Sequence, residues 1–313
     1  MPKPVRAGLI GYGGQAKRIS NYLKINYKKI EIIHFFYKKK KLNINHTYNL
    51  DDLLKCDLIF ICSPNKTHFK YLKKFLNKKY IFCEKPPVSK LSEINFLKKK
   101  DLGKVFYNYN MRFSKVFNFL TSCKKYKIGK FLDGEISFSH LLGTKKIYKK
   151  NWRSKKSLSK KGVYEVVSIH ALDLVSSFFD NVKIKKNFLS NKSIYGNSFD
   201  SAVTILEIKK KSYIKIFTSY LAPYKYKISF MFENAIIDID DKKLSFYYPG
   251  KRFDNNGFSI HPKLFKDLRY KRSIDYKKSL NSSIDFFMKN YFDKKLFSKT
   301  QKLKALNSNK LIL

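Results

Sequence analysis

The sequence predicts an α/β domain followed by an α+β domain: a doubly wound parallel sheet, then an open, mainly antiparallel sheet with helices on one face. Apolar strand runs alternate with helical segments over the first third of the chain, which is typical of parallel strands joined by right-handed crossovers. Six strand-like runs then follow one another from Val182 to Tyr248, as in successive hairpins. The 313 residues are enough for two cores.

The N-terminal elements follow from the spacing of apolar residues. We expect strands at Val5–Ile10, Ile30–Tyr37, Asp57–Cys62, Tyr80–Cys83 and Val105–Tyr109. Helices are expected at Gln15–Lys24, Asp51–Leu54, Thr67–Leu76 and Ser92–Lys99. The third strand reads DLIFIC and is apolar almost throughout, as expected for a strand buried on both faces.

The pattern changes at about residue 120, so we predict one domain over residues 1–120 and another over 121–313. The second begins with a strand at Leu132–Leu141 and one amphipathic helix at Gly162–Phe179. The hairpins follow, and a late helix at Ser273–Tyr291 closes this domain. The last dozen residues are predicted to fray.

The charge balance is 67 basic against 23 acidic residues, a net +44, which suggests nucleic-acid binding as one function class. Only seven of the basic residues are arginine, although phosphate and base recognition favour the planar guanidinium. A solvated lysine surface is therefore our interpretation, with no nucleic-acid partner. Loss of any DNA binding at physiological salt would exclude the alternative.

The four cysteines show no C-x-x-C spacing, so we predict reduced thiols and no metal site. The chain shows no apolar run long enough to span a bilayer and no apolar leader segment. We therefore expect a cytoplasmic protein without a membrane partner.

A G-x-G-x-x-A motif directly follows the first predicted strand and opens the first helix. This placement predicts a dinucleotide site in which the first glycine permits the tight turn, the second lets the backbone approach a pyrophosphate, and the alanine allows close helix packing. The predicted cofactor-binding residues of this loop are Gly11, Tyr12, Gly13, Gly14, Gln15 and Ala16.

The end of the second strand selects between NAD and NADP, because an acidic residue there would bind the adenosine ribose of NAD. The residues at that distance are Tyr37 and Lys38, followed by further lysines, with no carboxylate. Lysines there would meet a 2′-phosphate, which tilts the prediction towards NADP.

Two further loops follow predicted strands and should reach the same edge, where ligands of doubly wound sheets bind. One carries Ser63, Pro64, Asn65 and His68; His68 is either a cofactor contact or only a first-turn helix residue. The other is Glu84-Lys85-Pro86-Pro87, where the prolines make the strand exit rigid. Lys85 would then polarise a carbonyl or take a hydroxyl proton.

The helix after Gly162 carries His170 and Asp173, which are i,i+3 neighbours on one face. A carboxylate beside an imidazole orients it and raises its basicity, which suits a general base near neutral pH. A histidine on such a helix is more often structural, so the context decides between the two interpretations.

Taken together, the segments GLIGYGGQA, CSPNKTH, CEKPPV, NMRF, NWRS and GVYEVVSIHALD resemble the Gfo/Idh/MocA family of NAD(P)-dependent sugar and polyol oxidoreductases. The resemblance implies an N-terminal Rossmann domain and a pocket in which Lys85 and His170 are catalytic and also contact the substrate. The family usually has an aspartate four residues before this histidine, where this chain has Val166. Glu165 lies about 100° away around an α-helix and is not treated as its replacement.

The prediction is therefore a hydride-transferring oxidoreductase that acts on a sugar or sugar derivative, nucleotide-linked sugars included, with NAD or NADP. Further substrate contacts are expected from Arg112, Trp152, Arg153 and Asp173. A homo-oligomer would bury the open face of the C-terminal sheet. The alternative, suggested by Val166, is a regulatory protein that keeps the fold and binds its ligands without turnover.

Overall fold

The computed structural model describes residues 3–37, 43–209, 211–248, 250 and 252–313. They group into two compact units, one formed by the chain up to residue 109 together with 281–311 and Leu313, and the other by 110–280 with Ile312. Each unit is built around its own sheet.

The first unit contains a six-stranded, wholly parallel sheet. Its strands are β1 (Val5–Ile10), β2 (Ile30–Phe35), β3 (His46–Thr47), β4 (Leu58–Ile61), β5 (Tyr80–Glu84) and β6 (Val105–Asn108). The order β3-β2-β1-β4-β5-β6 reverses direction between β1 and β4. In doubly wound sheets, ligands bind at the carboxyl ends of the strands at this switch point.

Three helices of the first half of the chain lie close to their predicted positions: α1 (Gly14–Asn26), α2 (His68–Phe75) and α3 (Leu91–Lys98). A fourth helix, α4 (Lys115–Cys123), was not predicted. The predicted helix after β3 is a 3₁₀ turn at Leu50–Lys55, with the side chain of Asn49 accepting from the Asp51 backbone N–H. The central strand β4 is buried at every position, as its apolar sequence predicted.

The second unit contains an eight-stranded sheet of order β14-β13-β12-β11-β7-β10-β9-β8. The strands are β7 (Phe131–Ser139), β8 (Val182–Ser190), β9 (Ser201–Ile208), β10 (Ser212–Ser219), β11 (Lys225–Phe232), β12 (Ala235–Ile239), β13 (Lys243–Tyr248) and β14 (Lys263–Arg269). All neighbours are antiparallel except β7 and β10. The predicted fold class is confirmed for both sheets.

The helix predicted over 162–179 is divided into a π-helical turn at Tyr164–Ser168 and the α-helix α5 (Ile169–Phe178). The ring of Phe178 stacks on Phe230 of β11 at 5.9 Å between centroids, and Phe178 is buried. The predicted single α-helix is therefore wrong in its first turn. An i to i+5 turn changes the angular spacing of residues 164–168.

The C-terminal helices differ from the prediction in where they pack. Residues 281–311 group with the first unit, and residues 110–120 group with the second. The later part of α6 (Arg272–Phe292) provides Phe287, which is fully buried and contacts the rings of Phe60 and Phe82. The helix therefore covers the parallel sheet with its second half and does not end the chain inside the second domain.

The predicted fraying of the last dozen residues is wrong. A further helix, α7, runs from Lys299 to Lys310, with Leu306 and Asn309 fully buried. The side chain of Asn309 accepts from the Val88 N–H at 3.1 Å and donates to the Val88 carbonyl at 3.2 Å. The helix end is thereby fixed to the loop that follows Pro87. Across the described residues, no helix has the length and apolar character needed to cross a membrane.

Candidate active site

The glycine turn after β1 is shaped by a close approach to the end of β4. Gly11 has φ +102°, and a Cβ added there would lie 2.8 Å from the carbonyl oxygen of Cys62. Both the left-handed backbone and the contact require glycine. The turn therefore places the start of α1 at the switch point.

Gly13 and Gly14 differ from Gly11, because a Cβ on either residue would meet no atom within 4 Å. Gly13 caps α1 without a side-chain hydrogen bond, and the first turn of α1 holds no acidic residue. Ala16, one turn further, is fully buried. We call Gly13, Gly14 and the first-turn N–H groups of α1 the phosphate cradle, since open space before free helix N–H groups suits a phosphate.

Glu84 at the end of β5 joins three elements of the first unit. Its Oε1 accepts from Gln15 Nε2 of α1 at 2.8 Å and from Asn108 Nδ2 of β6 at 2.7 Å. Burial raises the pKa of this carboxyl, and the two amides and the charge of Lys85 oppose that rise. Glu84 thus holds the segment that carries Lys85 against the start of α1.

His68 lies completely buried between the two loops. Its Nδ1 is 2.8 Å from the carbonyl oxygen of Pro86, and its Nε2 is 2.6 Å from that of Ser63. Both ring nitrogens are therefore occupied by the backbone. This placement favours the interpretation of His68 as a first-turn helix residue, because no ring nitrogen is left for a cofactor.

The rest of this loop keeps polar groups at the edge of the sheet. Ser63 Oγ accepts from Thr67 Oγ1 at 2.7 Å, and Asn65 is 7% exposed with no hydrogen-bond partner for its Nδ2. Pro64 is half-exposed and caps the short 3₁₀ turn at Asn65–Thr67. A buried amide without a partner is costly, and a bound cofactor would satisfy it.

An aromatic group forms the end of the site beside β2. The ring of Tyr12 meets His34 and Phe36 edge-on, at 5.2 and 5.5 Å between centroids. Burial lowers the pKa of His34 to about 4, so its ring is neutral. Tyr37 follows with 79% of its surface exposed, and Lys38 lies outside the described residues. The residues described here fit a nicotinamide dinucleotide: a phosphate cradle, an unpaired amide and an aromatic wall.

In the second unit, Asp173 is paired with Arg112. Two nitrogens of the guanidinium contact the carboxylate, the closest at 2.5 Å, and the two side chains are 12% and 2% exposed. We predicted that Asp173 orients His170 and contacts the substrate, together with Arg112. Asp173 forms a buried, two-pronged ion pair with Arg112, which was not foreseen because 61 residues separate the partners. That Asp173 also orients His170 stays a prediction.

His170 is the second residue of α5 and is half-exposed, while Val166 in the π turn is buried. Ser168 bonds Thr218 of β10 through the two hydroxyl oxygens at 2.6 Å, which fixes the helix start to the sheet. Glu165 accepts from Ser159 Oγ at 2.5 Å. The carboxylate of Glu165 is thus directed to Ser159.

Trp152 and Arg153 form a 3₁₀ turn with Ser154. The guanidinium of Arg153 lies over the ring of Trp152, 4.6 Å from its centroid. Both side chains are half-exposed. That they contact a ligand stays a prediction.

The motifs did not reveal Asn108, which supports Glu84, or Tyr220, which lies close to Arg153. A signal for Asn108 was present, because it ends β6 beside the end of β5. Tyr220 follows β10 and had no local signal, since its neighbours come from distant parts of the chain.

The first unit has the fold of the Rossmann class, in which a glycine-rich turn after the first strand binds a dinucleotide. Residues 5–100 match the model of the oxidoreductase family with an NAD-binding Rossmann fold, Gfo/Idh/MocA. Over these residues the chain is similar to that family, as its motifs indicated.

A curated relative, Oxidoreductase P35 of Formosa agariphila, is 26% identical over 168 residues. The match covers 49% of this chain and about half, 52%, of that protein's length. That relative is named an oxidoreductase, and the match extends over a longer stretch of sequence than the motifs.

Solved structures resemble the chain over nearly its whole length. A levoglucosan dehydrogenase in complex with NADH and levoglucosan has a TM-score of 0.79 at 13% identity, covering 99% of this chain and 95% of its own. A myo-inositol dehydrogenase of Corynebacterium glutamicum has a TM-score of 0.71 at 16%, with coverages of 99% and 94%. A 3-ketoreductase of Actinomadura kijaniata in complex with NADP and TDP-benzene has a TM-score of 0.77 at 11% identity. The match covers 99% of this chain and 96% of that one. At these identities the likeness is one of fold.

Proposed function

We propose that this chain is an NAD(P)-dependent oxidoreductase that interconverts a hydroxyl and a carbonyl group on a sugar or sugar derivative. The observation that supports this most is the phosphate cradle beside a Lys85 segment that Glu84 fixes to the same helix start. A nicotinamide cofactor, when bound, supplies the hydride acceptor or donor. The named sugar dehydrogenases of similar fold support the substrate class.

In this proposal, Lys85 and His170 act on one substrate oxygen. In the oxidising direction, His170 takes the hydroxyl proton while Lys85 orients that oxygen. In the reducing direction, Lys85 polarises the carbonyl and His170 returns the proton. The cis bond between Lys85 and Pro86 is part of this strand exit.

We propose that NADP is accepted at least as well as NAD, on the basis that Phe36 and Tyr37, which follow β2, provide no carboxylate. Titration with NADPH and NADH tests this choice. Tenfold tighter binding of NADH would contradict it.

We also propose a homo-oligomer formed through the outer face of the eight-stranded sheet. Phe188, Tyr213 and Met231 on its strands are 59%, 40% and 48% exposed. Exposed apolar groups on a sheet face favour burial against a partner. Sedimentation should show a dimer or larger species, and Met231→Lys should shift it towards the monomer.

The experiment for the function is Lys85→Ala. We expect turnover with sugar substrates to fall by about 10² to 10⁴-fold, the range for loss of an acid–base group. Affinity for the reduced cofactor and thermal stability should stay close to wild type. Lys78→Ala, on the exposed surface of the same unit, is the matched control and should leave turnover unchanged.

A second candidate is a ligand-binding regulatory member of this fold without turnover. The buried, apolar Val166 favours it, because the family has an aspartate there. Protein that binds reduced cofactor and yet reduces no compound in a panel of sugars, polyols and nucleotide sugars would support this candidate over the enzyme.

A further inference from the structure

Arg153 of the second unit has no acidic partner among the described residues. Among the described residues, no carboxylate lies within 4.0 Å of the Arg153 guanidinium, whereas Arg112 has Asp173. Its side chain contacts Asn151 Oδ1 at a long 3.4 Å and lies beside the Tyr220 hydroxyl. Stacking on Trp152 fixes the plane of the guanidinium, which leaves its nitrogens available for a planar or tetrahedral anion.

Polar aromatic residues surround this guanidinium. The ring of Tyr220 lies 5.0 Å from that of His140 and 5.8 Å from that of Tyr148, between centroids. The Tyr148 hydroxyl donates to the carbonyl oxygen of Arg153 at 3.2 Å, which fixes the backbone of the turn. We call Trp152, Arg153, His140, Tyr148 and Tyr220 the Arg153 cluster.

The hydroxyl of Tyr220 is a second sign of a ligand. Tyr220 is 1% exposed. The Arg153 guanidinium lies near enough to donate towards its oxygen, but no described acceptor meets its O–H with hydrogen-bond geometry. Burial raises the pKa of this hydroxyl, and the nearby Arg153 charge opposes the rise, so it remains a protonated donor. A buried hydroxyl without a partner costs about 1–3 kcal/mol.

The charges around the cluster favour a negative ligand. Burial and the Arg153 charge lower the pKa of His140, so its neutral ring offers one N–H. The charge of Glu165 reaches Tyr220, but this carboxylate is bonded to Ser159 and faces Lys161. Asp200, which faces Tyr148, accepts from the backbone N–H groups of Lys192 and Ser193.

We propose that the Arg153 cluster binds an anionic group, a carboxylate or a phosphate, carried by the substrate, so that the enzyme acts on acidic sugars. The inference rests on the proposed function for the reaction and adds the chemical class of the substrate. Arg153 holds two anion oxygens, and the hydroxyl of Tyr220 and the N–H of His140 donate to them. Tyr220 follows β10, in which Thr218 is bonded to the start of the helix that carries His170. The second unit therefore connects the Arg153 cluster to the helix of His170.

The experiment uses the fluorescence of Trp152, which is the single tryptophan of the chain. The full-length protein without added cofactor is titrated with glucuronate, galacturonate and glucose 6-phosphate, and with neutral glucose and myo-inositol. We expect a saturable change with at least one acidic sugar and none with the neutral ones. The uronates and the phosphate ester distinguish a carboxylate from a phosphate.

Arg153→Gln should weaken acidic-sugar binding at least tenfold, and Tyr220→Phe should weaken it about threefold. Calorimetry provides the same constants without relying on the tryptophan. Arg269→Gln, an exposed arginine of the same unit, makes the same charge change and should have no effect. Tyr220→Phe also keeps the proposal testable if Arg153→Gln fails to fold.

Equal responses to neutral and acidic sugars, no response to any acidic sugar, or unchanged affinity in Arg153→Gln would each overturn the anion site. The reaction itself is tested separately, because cofactor binding and turnover are measured without Trp152. Acidic-sugar binding that depends on Arg153, without turnover, would retain the anion site and contradict the oxidoreductase.

Discussion

The phosphate cradle of the first unit and the helix start around His170 in the second are fixed in different ways. The cradle is made of backbone: a left-handed glycine against the carbonyl of Cys62, and an uncapped helix. The region around His170 depends on side chains from distant segments, such as Asp173 with Arg112 and Ser168 with Thr218. Backbone sites leave a short local motif in the sequence, whereas side-chain sites do not.

The largest effect on stability is expected from breaking the Asp173–Arg112 ion pair of the second region. Asp173→Asn should reduce the free energy of unfolding of its unit by about 3 kcal/mol, because it leaves the Arg112 guanidinium buried without its partner charge. Chemical denaturation of the full chain measures this. Glu135→Gln, which breaks the exposed pair with Lys227, should cost less than about 1 kcal/mol.

If the main role of Asp173 is to orient His170, the variant will change catalysis and leave stability unaffected. Asp173→Asn would then retain wild-type stability and shift the pH dependence of turnover. That outcome would support the prediction that Asp173 orients His170 and would remove the contrast between the two regions.

The backbone character of the cradle leads to a smaller but more specific effect. Gly13→Val should lower affinity for reduced cofactor about 100-fold, because the side chain occupies the space that a phosphate needs. Stability should remain near wild type, since Gly13 has extended backbone with open space beside it. Cofactor fluorescence and thermal unfolding measure the two quantities.

Gly11→Ala is the matched comparison for Gly13→Val. Its Cβ would press against the Cys62 carbonyl in a left-handed backbone, so it should destabilise the unit by about 1–3 kcal/mol. A Gly13→Val variant with wild-type cofactor affinity would contradict our placement of the phosphates.

The same distinction explains how much of the fold the sequence predicted. Apolar runs between helical segments identified the parallel sheet, because strands buried on both faces are apolar almost throughout. Successive strand-like runs identified the second sheet. These patterns did not show which sheet α6 covers. The apolar face of an amphipathic helix can pack against either sheet, so the sequence does not specify which one. In the structure, Phe287 packs against Phe60 and Phe82. The fixing of α7 by Asn309 depends on a contact across 221 residues.

The candidate site was predicted to a similar extent. The glycine turn and the Glu84-Lys85 exit follow from motif and position, and the structure joins them through Gln15. The π turn before His170 had no signal, because its apolar spacing also fits an α-helix. Tyr220 and His140 come together only when β10 pairs with β7.

The smallest expected effect tests whether a side chain also contributes to the cradle. Burial raises the pKa of Glu84 above its usual value of 4.5, so the folded state holds a proton that the unfolded state has lost. Between pH 4.5 and the raised pKa, stability therefore falls as pH rises. Glu84→Gln keeps an oxygen for Gln15 and Asn108 but has no proton to lose. Its stability relative to wild type should therefore increase from pH 4.5 to 7. Denaturation of both proteins at the two pH values measures this difference, and a constant difference would show that Glu84 is ionised in the fold at no cost.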